Sequence, residues 1–142
     1  MKNHLFSFLS VALVMSGCSS VKTLEIAADG AMASASVQVD VVQDSPGVQT
    51  VPVSQYFLPG NMVRSSAKAK TVRFGSGPAT QSVSVSGFKG KVVVLAHLPG
   101  GHADASGDAD ARRKTIPLSG KGTASTMRVD VTQGGLRVSP KK

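Results

Sequence analysis

The feature that most restricts this fold is strict alternation of apolar and polar residues in short runs bounded by glycine and proline. Val37-Gln38-Val39-Asp40-Val41, Ser82-Val83-Ser84-Val85-Ser86 and Thr126-Met127-Arg128-Val129-Asp130-Val131 each place apolar side chains on one face of an extended chain and polar ones on the other. Leu136-Arg137-Val138 repeats the pattern, and Leu24-Glu25-Ile26, Thr71-Val72-Arg73-Phe74 and Thr115-Ile116-Pro117-Leu118 add shorter pieces. Pro117 lacks a donor for a ladder, so its strand belongs at an edge or ends there. Lys91–Leu98 instead is apolar on both faces, the pattern of a central strand covered from two sides. These runs, separated by Pro-Gly, Gly-Ser-Gly-Pro, Gly-Lys-Gly and Gly-Gly turns, predict an all-β chain, an antiparallel two-layer β-sandwich of about eight strands. One segment breaks the pattern. Asn61–Ala69 opens with a favourable N-cap residue after Pro59-Gly60 and predicts a short helical insert.

The chain opens with Lys2, an apolar stretch from Leu5 to Met15 and a small-residue exit, Ser16-Gly17-Cys18. That is the layout of an export signal. The stretch is too short for a hydrocarbon core, which takes about 20 apolar residues in a helix. Met15-Ser16-Gly17-Cys18 resembles the lipobox of bacterial lipoproteins, with Met15 where leucine is usual. The resemblance implies cleavage before Cys18, a thioether-linked diacylglycerol on its sulfur and, with Ser19 rather than aspartate next, transfer to the outer membrane facing the periplasm. A single cysteine in an exported chain has no intramolecular partner, which fits the same reading. The expected division is a signal peptide over 1–17, a lipidated tether over 18–23 and a β-sandwich domain over 24–139. The 125 residues after the signal suffice for one domain.

Charge is uneven along that domain. Residues 18–60 balance at −3, whereas residues 61–142 hold fourteen Lys or Arg against four Asp, a balance of +10. Nucleic acid is not the expected partner, because the chain is exported and has no helix or aromatic platform to read bases. A cationic surface facing anionic headgroups, glycan or an acidic protein stays open beside a merely solvated basic face.

No constellation calls for catalysis. Asp104, Asp108 and Asp110 sit in a Gly-rich stretch but lack the spacing of a calcium loop, and read as a mobile, solvated loop. His97 and His102 are too few for zinc, and His97 reads as a satisfied core or edge histidine. Serines are many without a nucleophile elbow, and Glu25, Asp40 and Asp130 read as polar-face strand residues. No cofactor, metal or catalytic residue is expected. Arg112-Arg113-Lys114 either pairs with Asp108 and Asp110 across the turn or forms a contact patch for an acidic partner.

The order of parts resembles the TssJ-like family, small outer-membrane lipoproteins of the type VI secretion membrane complex. The matching parts are Cys18, Leu24–Ile26, Val37–Val41, Tyr56-Phe57-Leu58, the insert Asn61–Ala69, Val92–Leu98 and Arg112–Leu118, with Met127–Val131 and Leu136–Val138 closing. The chain departs from the family in having no Trp before the basic turn. The resemblance implies a non-catalytic sandwich that tethers a trans-envelope assembly by binding the periplasmic domain of an inner-membrane protein. The alternatives are an envelope lipoprotein that binds glycan or a small ligand, and an enzyme accessory domain.

Overall fold

The computed structural model describes residues 20–141, so the signal, the lipobox and Cys18 lie outside the described residues. Eight strands form two four-stranded sheets. The first sheet has the order β4 (Thr80–Ser84), β1 (Thr23–Ala28), β7 (Thr126–Thr132), β8 (Gly135–Pro140). The second has the order β3 (Lys70–Arg73), β2 (Gln38–Gln43), β5 (Lys91–His97), β6 (Arg113–Pro117). This is the expected two-layer sandwich. One ladder departs from antiparallel pairing: β1 runs parallel to β7, with Thr23 opposite Thr126 and Ala28 opposite Val131.

The alternating runs bury the side chains they were expected to bury. Val37, Val39, Val41, Val83, Val85, Val92, Val94, Val129 and Val131 all lie in one apolar cluster between the sheets, with Leu24, Ile26 and Ile116. Strand β5 is central and covered on both faces, with Val92, Val94 and Ala96 turned to that core and Val93 and Leu95 to a second one. Pro117 is the last residue of β6, an edge strand.

The second core exists because a layer of short helices lies on the outer face of the second sheet. Helix α1 (Gly30–Ser34) follows β1, whereas α2 (Pro46–Thr50), α3 (Val53–Tyr56) and α4 (Met62–Ser66) form one insert between β2 and β3. The insert was expected only over 61–69. Asn61 caps α4 as expected, accepting from the Arg64 N–H at 3.1 Å, and Ser45 caps α2 by accepting from Val48 N–H at 3.2 Å. Val48, Val51, Val53 and Tyr56 from the insert pack on Val42, Val93 and Leu95 of the sheet. Four-residue and five-residue helices are far below the length that is stable alone, so this apolar contact holds the layer in place.

The two open edges of the sandwich are bridged, one by side chains and the other by a backbone bond. Along β3 and β4, the Lys70 amine donates to Ser84 O at 2.6 Å and the Gln81 amide to Arg73 O at 2.7 Å. On the other side Leu136 N–H donates to Ala111 O at 2.9 Å. Unpaired strand edges are templates for aggregation, and these bridges cover them.

Candidate functional site

Two buried carboxylates tie the helical layer to the sheet, and both correct the reading of the sequence. Asp40 was expected on a wet strand face; it is fully buried under the insert. Its outward neighbour Val42 is covered by the same layer, so the face that carries Asp40 is interior. The carboxylate accepts from Tyr56 Oη at 2.8 Å, Arg64 Nε at 2.8 Å and Thr71 Oγ1 at 2.7 Å. Burial alone would raise its pKa, but these three donors and the Arg64 charge outweigh burial and hold it below the ordinary value of 3.8. The same pair pushes the Tyr56 hydroxyl upward, first through burial and then through the adjacent charge. Arg64 also lies 5.4 Å over the Phe57 ring, which stacks on His97 at 5.1 Å. His97 is thus exposed at a strand end with an aromatic partner.

Asp110 is the second buried carboxylate. It accepts from Arg112 Nε at 2.9 Å and from the second guanidinium nitrogen at 2.8 Å, and its oxygens also take the N–H groups of Arg112 and Ala105. These donors hold its pKa low against burial, which would raise it. Arg112 reaches on to Asp104 at 2.6 Å, and Asp104 accepts from the backbone and hydroxyl of Ser54 in α3. Ser54 and Arg112 lower the Asp104 pKa to about 2. Asp108 accepts from Thr115 N–H and Oγ1 at 2.9 and 2.7 Å. The stretch expected as a mobile, solvated loop is therefore fastened at all three of its carboxylates.

This arrangement also relocates the basic turn. Arg112 and Arg113, expected either to pair with Asp108 and Asp110 or to form a contact patch, are buried, and Arg112 pairs with Asp110; only Lys114 of the three is partly open to solvent. Arg113 donates to Ala105 O at 2.7 Å, Gly107 O at 3.3 Å and Val51 O, so it clips the α2–α3 junction to the loop. It has no carboxylate of its own, and burial pushes its pKa down. The signal for these clusters was present locally, in the Val41-Val42 pair that makes both faces apolar and in Asp110 two residues before Arg112.

Two apolar side chains of the layer stand in solvent among exposed polar ones. Leu58 is 57 % and Met62 79 % exposed, the only large hydrophobic side chains so exposed among the described residues. Beside Met62 a groove of about 420 Å³ opens between α2 and α4, lined by Val48, Val63 and Ala67. Aromatic side chains give no sugar platform, since Tyr56 and Phe74 are buried and Phe57 and Phe88 half-buried. Among the described residues no three His, Cys, Asp or Glu are grouped to hold a metal ion, and no helix is long and apolar enough to cross a membrane.

The fold has solved counterparts. The chain is similar to the Serratia marcescens Lip protein, a membrane-bound component of the type VI secretion system, with TM-score 0.61 and 12 % identity over 87 % of this chain and 99 % of that one. It is similar to a chain of a type VI membrane complex, with TM-score 0.59 and 17 % identity over 84 % and 99 %. A chain in the structure of the T6SS protein TssM C-terminal domain from EAEC matches with TM-score 0.56 and 17 % identity over 83 % and 99 %. At such identities the likeness is one of fold. No protein-family model and no curated protein matches the chain.

Proposed function

We propose that this chain is a lipid-anchored, non-catalytic docking component of a type VI secretion-like trans-envelope assembly. It is held in the outer membrane through Cys18 and binds the periplasmic domain of an inner-membrane protein. The observation that carries the reading is the end-to-end likeness of the sandwich to membrane components of that system, each matched over 99 % of its own length. The chemistry of the domain agrees. Its two buried carboxylates are spent on arginine, tyrosine, threonine and backbone donors, which fix the helical layer. An acid so stabilised in its ionised form is a poor proton shuttle near neutral pH. The exposed Leu58 and Met62 on that layer suit a protein contact, since exposed apolar side chains grouped on one surface mark interaction sites.

The second reading, a small-ligand binder, has the groove beside Met62 in its favour. Its rim at the exposed Met62 suits an adaptable protein surface better than a closed ligand cage.

The test uses the full-length tagged chain in its own cell, with the Cys18→Ala variant beside it. A fatty-acid analogue should label the first and not the second. Cross-linking should recover an inner-membrane component of a contractile secretion assembly, and deletion of the gene should stop secretion by that assembly. Labelling that persists in Cys18→Ala refutes the anchor; normal secretion after deletion refutes the docking role.

A further inference from the structure

Strand register sorts the loops into two ends of the sandwich. Where the chain enters at Ser20, Thr23 lies opposite Ser84 and Thr126, Met127 opposite Pro140, and Lys91 opposite Pro117. Residues 20–22, 85–91, 118–125 and 139–141 therefore gather at one end. Backbone bonds tie them across the two sheets: Val21 N–H to Leu118 O at 2.8 Å, Val85 N–H to Lys22 O at 3.0 Å, and Leu118 N–H to Gly90 O at 2.9 Å.

These four segments contain Lys22, Lys89, Lys91, Lys121 and Lys141 and no acidic residue; the acid beside them is Asp44, which follows β2, donates its N–H to Lys91 O at 3.1 Å and accepts from the Gln49 amide at 2.9 Å. All five are exposed. Lys141 pairs with Glu25, whereas the other four have no carboxylate partner among the described residues. The Lys70 amine also reaches this end, at Ser84 O. The opposite end holds Asp29, Asp104, Asp108 and Asp110 balanced by Arg73, Arg112, Arg113 and Lys114, whose amine bonds Asp108 O there at 3.0 Å. The net charge of the basic half is thus directed along the strand axis, which composition does not reveal.

The entry end is also the end nearest Cys18. Three residues lie between Cys18 and Lys22, so four steps of chain span at most about 14 Å when extended. That is comparable with the screening length of about 8–10 Å at ordinary salt. A lipid on Cys18 would hold the lysines where headgroup charge is still felt. Lysine is a compact, strongly hydrated charge on a flexible stem, suited to a mobile layer of phosphates, where arginine suits fixed forked contacts. The arginines follow that division, since Arg64 and Arg112 are engaged in the interior clusters.

We propose that this lysine end is a seat on an anionic phospholipid surface, which stands the sandwich upright with its opposite, charge-balanced end directed away from the membrane. The proposal rests on the lipid attachment of the preceding section and adds an orientation to it. Glycan phosphates have similar chemistry, and the test separates them by offering lipid alone.

Full-length, acylated protein is mixed with vesicles of phosphatidylcholine, with or without phosphatidylglycerol. Each sample is floated and treated with a water-soluble amine reagent, and labelling is read at each lysine by mass spectrometry. Lys22, Lys89, Lys91 and Lys121 should be labelled about fivefold less on the anionic vesicles, the equivalent of the roughly 1 kcal/mol with which such a surface holds a lysine. Lys114 should be unchanged, and high salt should abolish the protection. Equal labelling on both vesicles overturns the proposal, as does an equal fall at Lys114. Protein that floats only with anionic vesicles would support the lysine seat and remove the lipid anchor; protein that floats with neither removes both. The surface variants Lys89→Gln and Lys121→Gln combined should reduce the protection of Lys22 and Lys91.

Discussion

Removing Asp40 should unfasten the helical layer. In Asp40→Ala the buried Tyr56 hydroxyl and the Thr71 hydroxyl lose their acceptor, and Arg64 loses its counter-charge. Breaking a buried pair from one side costs about 3–5 kcal/mol. The Arg64 side chain is 29 % exposed and can turn to water, which places the expected loss near the lower bound, about 3 kcal/mol. With a urea slope of about 1.5 kcal/mol/M, the unfolding midpoint should fall by about 2 M at unchanged slope. Tyr56→Phe alone removes one bond to a charged acceptor and should cost about 1.5–2 kcal/mol. Once Asp40 is gone, the same change deletes a hydroxyl that has nothing to bond, so the double variant should be no less stable than Asp40→Ala. The cycle is read by urea titration of the soluble domain at neutral pH. Because the folded carboxyl titrates below 3.8, its contribution is present above that value and lost as pH falls through the folded pKa. The gap between wild type and Asp40→Asn should therefore narrow only below about pH 4. Strictly additive single effects, or a midpoint shift of under about 0.5 M, would refute the lock.

Two further outcomes follow from the geometry. Gly135 has φ +134°, and an added Cβ would lie 2.6 Å from Ala111 O. Gly135→Ala should therefore cost more than about 2 kcal/mol, visible as a lower melting temperature, whereas Gly134→Ala meets only the far end of Thr132 and should be nearly silent. Met62→Asp combined with Leu58→Asp should leave stability within about 0.5 kcal/mol, since both side chains are in solvent, and should weaken capture of the inner-membrane partner in a pull-down.

The sandwich was legible because period-2 alternation is a direct imprint of a half-buried strand. Val39, Val83 and Val129 needed no other information, and the two-sided run of β5 correctly implied cover on both faces. The helical layer was only partly legible. Helices α2 and α3 are a single turn or so each and leave no amphipathic period; their positions are set by Val48, Val53 and Tyr56 meeting the sheet, a tertiary effect. The same layer overturned the reading of Asp40. A charged residue in an alternating strand looks solvated until something covers its face, and what covers it comes from residues 46–66. For Arg112 the pairing alternative holds, with Asp110 as partner, but the burial of Arg112 and Arg113 was not legible, since a run of cations reads as surface. The parallel pairing of β1 with β7 left no local trace, because parallel and antiparallel neighbours demand the same alternation.

That pairing has a consequence for how the chain matures. Strand β1, the first to be synthesised, sits inside its sheet between β4 and β7, and Thr23 waits for Thr126, 103 positions later. Until the last fifth of the chain has been made, one row of its backbone groups has no native neighbour. Such long-range closure is slow, because the loop entropy is lost before the contacts that reward it can form. Were the chain exported as proposed above, that delay would favour its passage, since an unfolded chain can be threaded through a translocation pore. The topology would then keep the nascent protein pliant until nearly its whole length has been made.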